Sequence, residues 1–138
     1  MLMQSAPRIA VLIVAGGTGS RAGAEIPKQY HALAGVPVLL RTVKAFMAVP
    51  AISRIQAVIH PEHMEWYEII CGDLAIAPPV HGGRTRQDSV HEGLKALKDF
   101  SPDYVLIHDA ARPLVSKTLI ESLLSRLSDE AVIPALPV

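Results

Sequence analysis

The first of three loops that could bind a phosphate ester carries glycines followed by cations. It contains Gly16, Gly17 and Gly19, and then Arg21 and Lys28. Glycines allow backbone N–H groups to approach an anion closely, because a Cβ would hold the phosphates away. A glycine and a proline separate the two cations, which could therefore converge on one polyphosphate. The alternative is a solvated basic pair on an exposed turn.

The second loop begins with Asp109, which follows the apolar run Tyr104 to His108. A carboxylate at the end of a buried strand suits Mg²⁺, which prefers oxygen ligands and often bridges one or two carboxylates to substrate phosphates. The small residues Ala110 and Ala111 leave room for a nucleotide. The alternative roles for the carboxylate are a helix cap or a salt bridge to Arg112.

The third loop begins with Gly82 and Gly83, continues through two arginines and leads into a helix that Asp88 or Ser89 would cap. Free N–H groups and the positive end of the helix dipole favour an oxygen-rich ligand. Ser89 and Glu92 also have the spacing of a capping box. By itself, Ser89 therefore favours a structural role, and a role in binding depends on the other loops.

Other nucleotide motifs fit the first loop poorly. Gly17, Gly19 and Ala22 match the dinucleotide pattern G-x-G-x-x-A, which requires an acidic residue about twenty positions further on. The corresponding stretch, Pro37 to Met47, contains no acidic residue, and Pro27 interrupts the helix that should follow. The Gly-Lys-Ser/Thr signature of a P-loop is absent as well.

Alternating strands and helices must position these loops. Apolar runs predict strands at Ile9 to Ala15, Arg54 to His60, Ala75 to Val80, Tyr104 to His108 and Ala131 to Leu136. Helical patterns begin at Pro37, Glu62, Ser89, and Ser116 or Thr118. Pro78 and Pro79 assign the third strand to a sheet edge. The alternation predicts an α/β fold with an open, mostly parallel, Rossmann-like sheet and helices on both faces, whose ligand edge would collect all three loops.

Composition excludes several classes of protein. Half of the 138 residues are hydrophobic, which predicts one compact domain over residues 1–138. Thirteen basic residues balance thirteen acidic ones, so we expect no nucleic-acid partner. The single cysteine, Cys71, suits a reducing compartment, and we expect a cytoplasmic location. The apolar run Ile9 to Ala15 is too short to span a bilayer, so we expect no membrane association.

Four motifs in the same order resemble the 2-C-methyl-D-erythritol 4-phosphate cytidylyltransferases of non-mevalonate isoprenoid biosynthesis. They are Ala15-Gly16-Gly17-x-Gly19-x-Arg21, Pro27-Lys28-Gln29-Tyr30, Asp88-Ser89-Val90 and His108-Asp109-Ala110-Ala111-Arg112-Pro113. The resemblance runs from about Ile9 to Val138. It implies a nucleotidyltransferase sheet that joins CTP and methylerythritol phosphate, with Mg²⁺ as cofactor, to give 4-diphosphocytidyl-2-C-methyl-D-erythritol and pyrophosphate.

The resemblance also implies a role for each candidate site residue. Arg21 and Lys28 would be the catalytic cations, and Asp109 would bind the metal ion. The nucleotide-binding residues would be Ala15, Gly16, Gly17, Gly19, Gly82, Gly83, Ser89 and Ala110. The attacking group is already a phosphate anion, so the reaction needs placement of charge and no general base.

The family continues beyond Val138 with a dimer arm, sugar-phosphate contacts and a further lysine. The resemblance therefore implies a truncated chain, or one half of a fusion with the cyclodiphosphate synthase of the same pathway, and a homodimer in the full-length protein. We expect the chain by itself to bind nucleotide poorly and to turn over slowly or not at all. The alternatives are another sugar- or polyol-phosphate nucleotidyltransferase and a non-catalytic nucleotide-binding fragment.

Overall fold

A computed structural model of the chain describes residues 5–17, 26–128 and 130–137. The strands are β1 (Ile9–Ala15), β2 (Ala32–Leu33), β3 (Val36–Pro37), β4 (Ile52–Ile59), β5 (Val80–His81) and β6 (Tyr104–Asp109). The α-helices are α1 (Val38–Met47), α2 (Met64–Cys71), α3 (Arg86–Ala96) and α4 (Lys117–Leu124), and short 3-10 helices span Lys28–Tyr30 and Pro61–His63. No helix among the described residues is long and apolar enough to cross a bilayer.

Four parallel strands form the main sheet in the order β5, β4, β1, β6. The chain runs from β1 to β4 and β5 on one side of the sheet, and then returns to β6 on the other side of β1. The strand order therefore reverses between β1 and β6, which is where open α/β sheets bind ligands. The predicted open parallel sheet is confirmed. Strands β2 and β3 form a separate antiparallel pair.

Helices cover both faces of this sheet, as the sequence predicts. Val11 and Ile13 of β1 pack into a core with residues of α1, α2 and α4. The alternate residues Ala10 and Leu12 face a second, smaller core with Leu97, beside α3. This alternation explains why β1 is apolar at consecutive positions, since both of its faces are buried.

Two of the predicted strands are wrong in extent or absent. The predicted run Ala75 to Val80 forms a strand only at Val80, which makes up β5 together with His81, although its edge position is confirmed. Pro78 and Pro79 have no N–H to donate to a ladder, which explains the short strand. The run Ala131 to Leu136 forms no strand and is exposed. An apolar, β-branched run becomes a strand only beside a neighbouring strand, and none of the described strands pairs with it.

The start of α3 differs from the prediction by one helical turn. The capping box is formed by Thr85 and Asp88, instead of Ser89 and Glu92. The Asp88 N–H donates to the Thr85 hydroxyl at 3.0 Å, and the Thr85 N–H donates to the Asp88 carboxylate at 3.0 Å. Ser89 is therefore inside the first turn and is buried.

The face of α3 that lies toward the sheet carries residues spaced four apart. Ser89, Gly93 and Leu97 are buried at this spacing, whereas Leu94 is 41% exposed. A Cβ on Gly93 would lie 2.8 Å from a methyl group of Val58. The absence of a side chain at Gly93 allows α3 to lie close against the sheet.

Candidate active site

An open cleft of about 430 Å³ lies at the carboxyl ends of β1, β4 and β6, beside the start of α3. All three loops predicted from the sequence contribute to it. The predicted site residues that line it are Ala15, Gly16, Gly17, Gly83, Ser89, Asp109 and Ala110. The cleft coincides with the point at which the strand order reverses, so the topology of the sheet brings these residues together.

The remaining predicted site residues are Gly19, Arg21, Lys28 and Gly82. Gly19 and Arg21 lie outside the described residues, and the other two do not line the cleft. Lys28 is exposed on a 3-10 turn, next to Gln29, which does line the cleft. Gly82 lies behind the cleft wall, where its N–H donates to the Ile59 carbonyl at 2.8 Å.

Ser89 is a buried link between the first and third loops. Its side chain is 2% exposed, and its Oγ donates to the Thr85 carbonyl at 3.0 Å and accepts from the Gly83 N–H at 3.2 Å. A Cβ on Gly16 would lie 2.7 Å from this oxygen, and one on Gly82 would lie 2.5 Å from it. These two glycines are therefore required for packing against Ser89, which is a second reason for them besides approach to a phosphate.

Gln29 connects the turn that carries Lys28 to the glycine loop. Gln29 is 6% exposed, and its side-chain amide donates to the carbonyls of Ala15 at 3.1 Å and Gly17 at 3.2 Å. Sequence reasoning quoted Gln29 within a motif and gave it no role. The only sign of a role for Gln29 in the sequence is its place next to the predicted cation Lys28. Its hydrogen-bond partners lie twelve or more positions away along the chain, so the sequence does not identify them.

Asp109 pairs with two arginines in the cleft. Arg86 places both Nε and Nη2 at 2.9 Å from Oδ1, and Arg112 places Nε at 3.2 Å from Oδ2. The salt bridge to Arg112 is the alternative that the sequence left open, whereas the role of Arg86 was missed. The Asp109 side chain is 34% exposed. Ion pairs at such exposure are worth about 0.2–1 kcal/mol, so a charged ligand could replace them.

The backbone of the loop after β6 is held at two points. The Thr42 hydroxyl of α1 donates to the Ala110 carbonyl at 2.7 Å. His108 Nε2 lies 2.8 Å from the Arg112 carbonyl, and the His108 ring packs on Phe46 at a centroid distance of 5.0 Å. These contacts orient the loop. The contribution of Thr42 was not foreseen, since it comes from a distant helix.

The donor set decides what kind of metal site the cleft could form. The described residues contain no group of three or more His, Cys, Asp or Glu side chains that could hold a metal ion. Mg²⁺ in nucleotide sites commonly uses one or two carboxylates, with substrate phosphates and water as its other ligands. Asp109 fits such an ion, provided that phosphates complete the coordination.

Charge is distributed unevenly along the cleft. Asp109 and Arg86 lie at the β6 side, and Arg84 is also exposed in the lining. The β4 side is formed by His60 and Gln29. Since β4 and β6 flank β1 on opposite sides, the imidazole of His60 and the carboxylate of Asp109 lie across the central strand from each other.

The parallel sheet, the glycine loop after its central strand and the carboxylate at the end of the adjacent strand define a nucleotide-binding domain of the nucleotidyltransferase type. The family model described as "IspD: 2-C-methyl-D-erythritol 4-phosphate cytidylyltransferase" matches residues 9–138. The chain belongs to this family.

Individual relatives agree with the family match. The bifunctional enzyme IspD/IspF of Paramagnetospirillum magneticum is 47% identical over 129 residues, which is 93% of this chain and 34% of that protein. The 4-diphosphocytidyl-2C-methyl-D-erythritol synthase of Anaerococcus prevotii superposes with a TM-score of 0.71 at 28% identity, over 88% of this chain and 53% of its own. The 2-C-methyl-D-erythritol 4-phosphate cytidylyltransferase (IspD) of Francisella tularensis gives a TM-score of 0.69 at 30% identity, over 86% of this chain and 51% of its own. The chain spans about a third of the length of the curated relatives it matches.

Proposed function

We propose that this chain forms the nucleotide-binding part of a 2-C-methyl-D-erythritol 4-phosphate cytidylyltransferase. The reaction joins CTP and methylerythritol phosphate to give 4-diphosphocytidyl-2-C-methyl-D-erythritol and pyrophosphate. The observation that carries the proposal is the meeting of Gly16, Gly83 and Asp109 in one cleft at the reversal of strand order. Family membership and the names of the relatives support the choice of substrates.

The two ends of the cleft suit the two ends of a nucleotide. The β4 side, with the Gly83 backbone and His60, offers hydrogen-bonding groups that suit the base and ribose. The charged side, with Arg86 and Asp109, suits phosphates and a metal ion. The nucleotide would then lie across the end of β1, over Gly16 and Gly17.

In the proposed reaction, an oxygen of the methylerythritol phosphate attacks the α-phosphorus of CTP. A new P–O bond forms while the bond to the bridging oxygen of the β-phosphate breaks, and pyrophosphate leaves with that electron pair. Repulsion between the two anions is the main obstacle, because phosphoryl transfer requires mostly placement of charge. Lys28 and Arg21 are proposed to offset this repulsion, and the contacts of Gln29 tie the Lys28 turn to the glycine loop.

Asp109 is the residue that would hold Mg²⁺. The bound ion would neutralise charge on the nucleotide phosphates. The Asp109 carboxylate pairs with Arg86 and Arg112, and these guanidinium groups could turn to phosphate oxygens when a charged ligand enters. The protein thus offers both one carboxylate for a cation and two cations for the phosphates.

We further propose a cytoplasmic location and a homodimer for the full-length protein, both on the strength of family membership. The zero formal charge offers no electrostatic field for nucleic acid. We also propose that the protein acts away from membranes.

Two linked measurements test the proposed function. CTP is titrated into the chain with and without Mg²⁺, and pyrophosphate release is then followed after adding methylerythritol phosphate or ribitol phosphate. We expect Mg²⁺-dependent CTP binding, and pyrophosphate release with methylerythritol phosphate only. Release with ribitol phosphate instead would assign a different nucleotidyltransferase. CTP binding without release on either acceptor would leave a nucleotide-binding fragment, and no CTP binding would refute the proposal.

A further inference from the structure

His60 lines the β4 side of the cleft, and the function proposed above assigns it no hydrogen bond to the nucleotide. It follows the last residue of β4 and lies with Gly83 and Gln29 in the cleft wall. The neighbouring Ile59 carbonyl accepts the Gly82 N–H, which fixes the end of β4 against the third loop. An imidazole here borders the end of the cleft that suits the base.

Hydrogen bonding identifies the ring nitrogen of His60 that is available to a ligand. Nδ1 accepts the Glu62 N–H at 3.2 Å, so His60 caps the 3-10 helix Pro61–His63. The Glu62 carboxylate lies 4.0 Å from the same nitrogen, which is too far for a hydrogen bond. A neutral imidazole that accepts at Nδ1 carries its proton on Nε2. Nε2–H is therefore a donor with no protein partner assigned among the described residues.

A group of packed aromatic rings holds the His60 imidazole in position. His60 and His63 have a centroid distance of 4.8 Å, and His63 also packs on Tyr30 at 5.3 Å and on Trp66 at 5.1 Å. His63 is buried, and this burial, followed by the neighbouring His60, lowers its pKa. The His63 ring thus packs against His60 and supports it. A donor with a fixed orientation loses little entropy when it binds a ligand.

We propose that His60 is a further nucleotide-binding residue that donates a hydrogen bond from Nε2 to the pyrimidine base of the nucleotide. The assignment rests on the proposed function, because it assumes that the base occupies the β4 side of the cleft. The O2 and N3 atoms of cytosine are acceptors and suit this donor. Uracil shares the O2 acceptor but carries a hydrogen on N3, so a contact with N3 would favour CTP over UTP.

Three variants separate base contact from a structural role. His60→Phe keeps an aromatic ring and removes both nitrogens. His60→Asn keeps an acceptor for the helix cap, but its shorter side chain does not reach the position of Nε2. His91→Phe is the matched control, because His91 is exposed on α3 and does not line the cleft.

Dissociation constants of CTP, UTP and inorganic tripolyphosphate are measured by calorimetry for each variant and for the unmodified chain. Loss of one such hydrogen bond weakens binding by about 3- to 10-fold. We expect this loss for CTP with both His60 variants, no change with His91→Phe, and unchanged tripolyphosphate binding throughout. Loss of selectivity for CTP over UTP would assign the contact to N3, and equal weakening of both nucleotides would assign it to O2.

Other outcomes overturn the proposal. Unchanged CTP binding in His60→Phe would refute the role of His60 and leave the proposed function intact. Recovery of CTP binding in His60→Asn would show that His60 acts only as a helix cap. Weakened tripolyphosphate binding would place His60 at the phosphates, against the proposal. Failure of the unmodified chain to bind CTP would refute the proposed function itself.

Discussion

The hydroxyl of Ser89 lies directly against Gly16, so that a Cβ at position 16 would be 2.7 Å from Ser89 Oγ and 3.5 Å from Ser89 Cβ. The first distance is a clash and the second is an ordinary contact. The same hydroxyl accepts the Gly83 N–H. The glycine loop and the third loop are therefore held together through one buried oxygen.

This relationship predicts that Gly16→Ala is harmful and that Ser89→Ala partly relieves it. Gly16→Ala should lower the free energy of unfolding by about 1–3 kcal/mol, as expected of overpacking. Ser89→Ala alone should cost about 1 kcal/mol through its lost hydrogen bonds. The double variant should be less destabilised than the sum of the two changes, because the oxygen that clashes is gone. Urea denaturation measures all three, and strict additivity would contradict the packing argument.

Asp109→Asn tests the proposed metal ligand. The amide removes the negative charge that would hold a cation, so we expect pyrophosphate release to fall about 100- to 1000-fold and CTP binding to lose its dependence on Mg²⁺. The free energy of unfolding should change by less than about 1 kcal/mol, because the two arginine pairs are partly exposed. Asp99→Asn, at an exposed position after α3, is the control. Mg²⁺ dependence that survives in Asp109→Asn would exclude Asp109 as the ligand.

Lys28→Ala tests the proposed catalytic cation. Loss of one contact that stabilises the charge of the transition state costs about 3–4 kcal/mol of barrier, so the rate of pyrophosphate release should fall a hundred- to thousandfold. Arg21→Ala should have an effect on the same scale. Lys44→Ala, on the exposed side of α1, should have no effect. A near-normal rate in Lys28→Ala, measured at saturating CTP, would refute the assigned role.

Cys71 gives a prediction for stability at high pH. Burial, followed by the neighbouring Glu68 carboxylate, raises the pKa of its thiol to about 11 from the ordinary value of 9.0. The unfolded chain releases this proton at lower pH than the folded chain does. The resulting stability is thus fully present below pH 9 and is lost as the pH rises to 11.

Between pH 8 and pH 11, the Cys71 thiol should lower the free energy of unfolding by on the order of 2 kcal/mol. Urea denaturation at a series of pH values measures this decline. Tyr30 and Tyr67 add to it in the same direction, because burial raises the pKa of both phenols. Cys71→Ala should therefore show a smaller decline than the unmodified chain over this pH range. An equal decline in both proteins would rule out a contribution from the thiol.

The sequence determined those elements whose signals are local. The apolar run of β1 is found where it was predicted, and the strand predicted over Tyr104 to His108 extends by one residue to Asp109. The last helix is capped at Ser116, one of the two starts that the sequence left open. Continuous β-branched runs and capping side chains act within a few residues, so they can be recognised without knowledge of the neighbours. The topology rules for α/β chains then bring the three loops to one edge of the sheet.

Only the tertiary structure decided the contacts made between distant loops. Three such contacts join residues that are far apart in the sequence. Arg86 pairs with Asp109, Gln29 anchors the glycine loop, and His60 lies in the cleft with Gly83. The tertiary structure also decided that the run Ala131 to Leu136 is not a strand, since none of the described strands pairs with it. Such contacts depend on which surfaces meet after folding, and neither residue type nor spacing encodes that by itself.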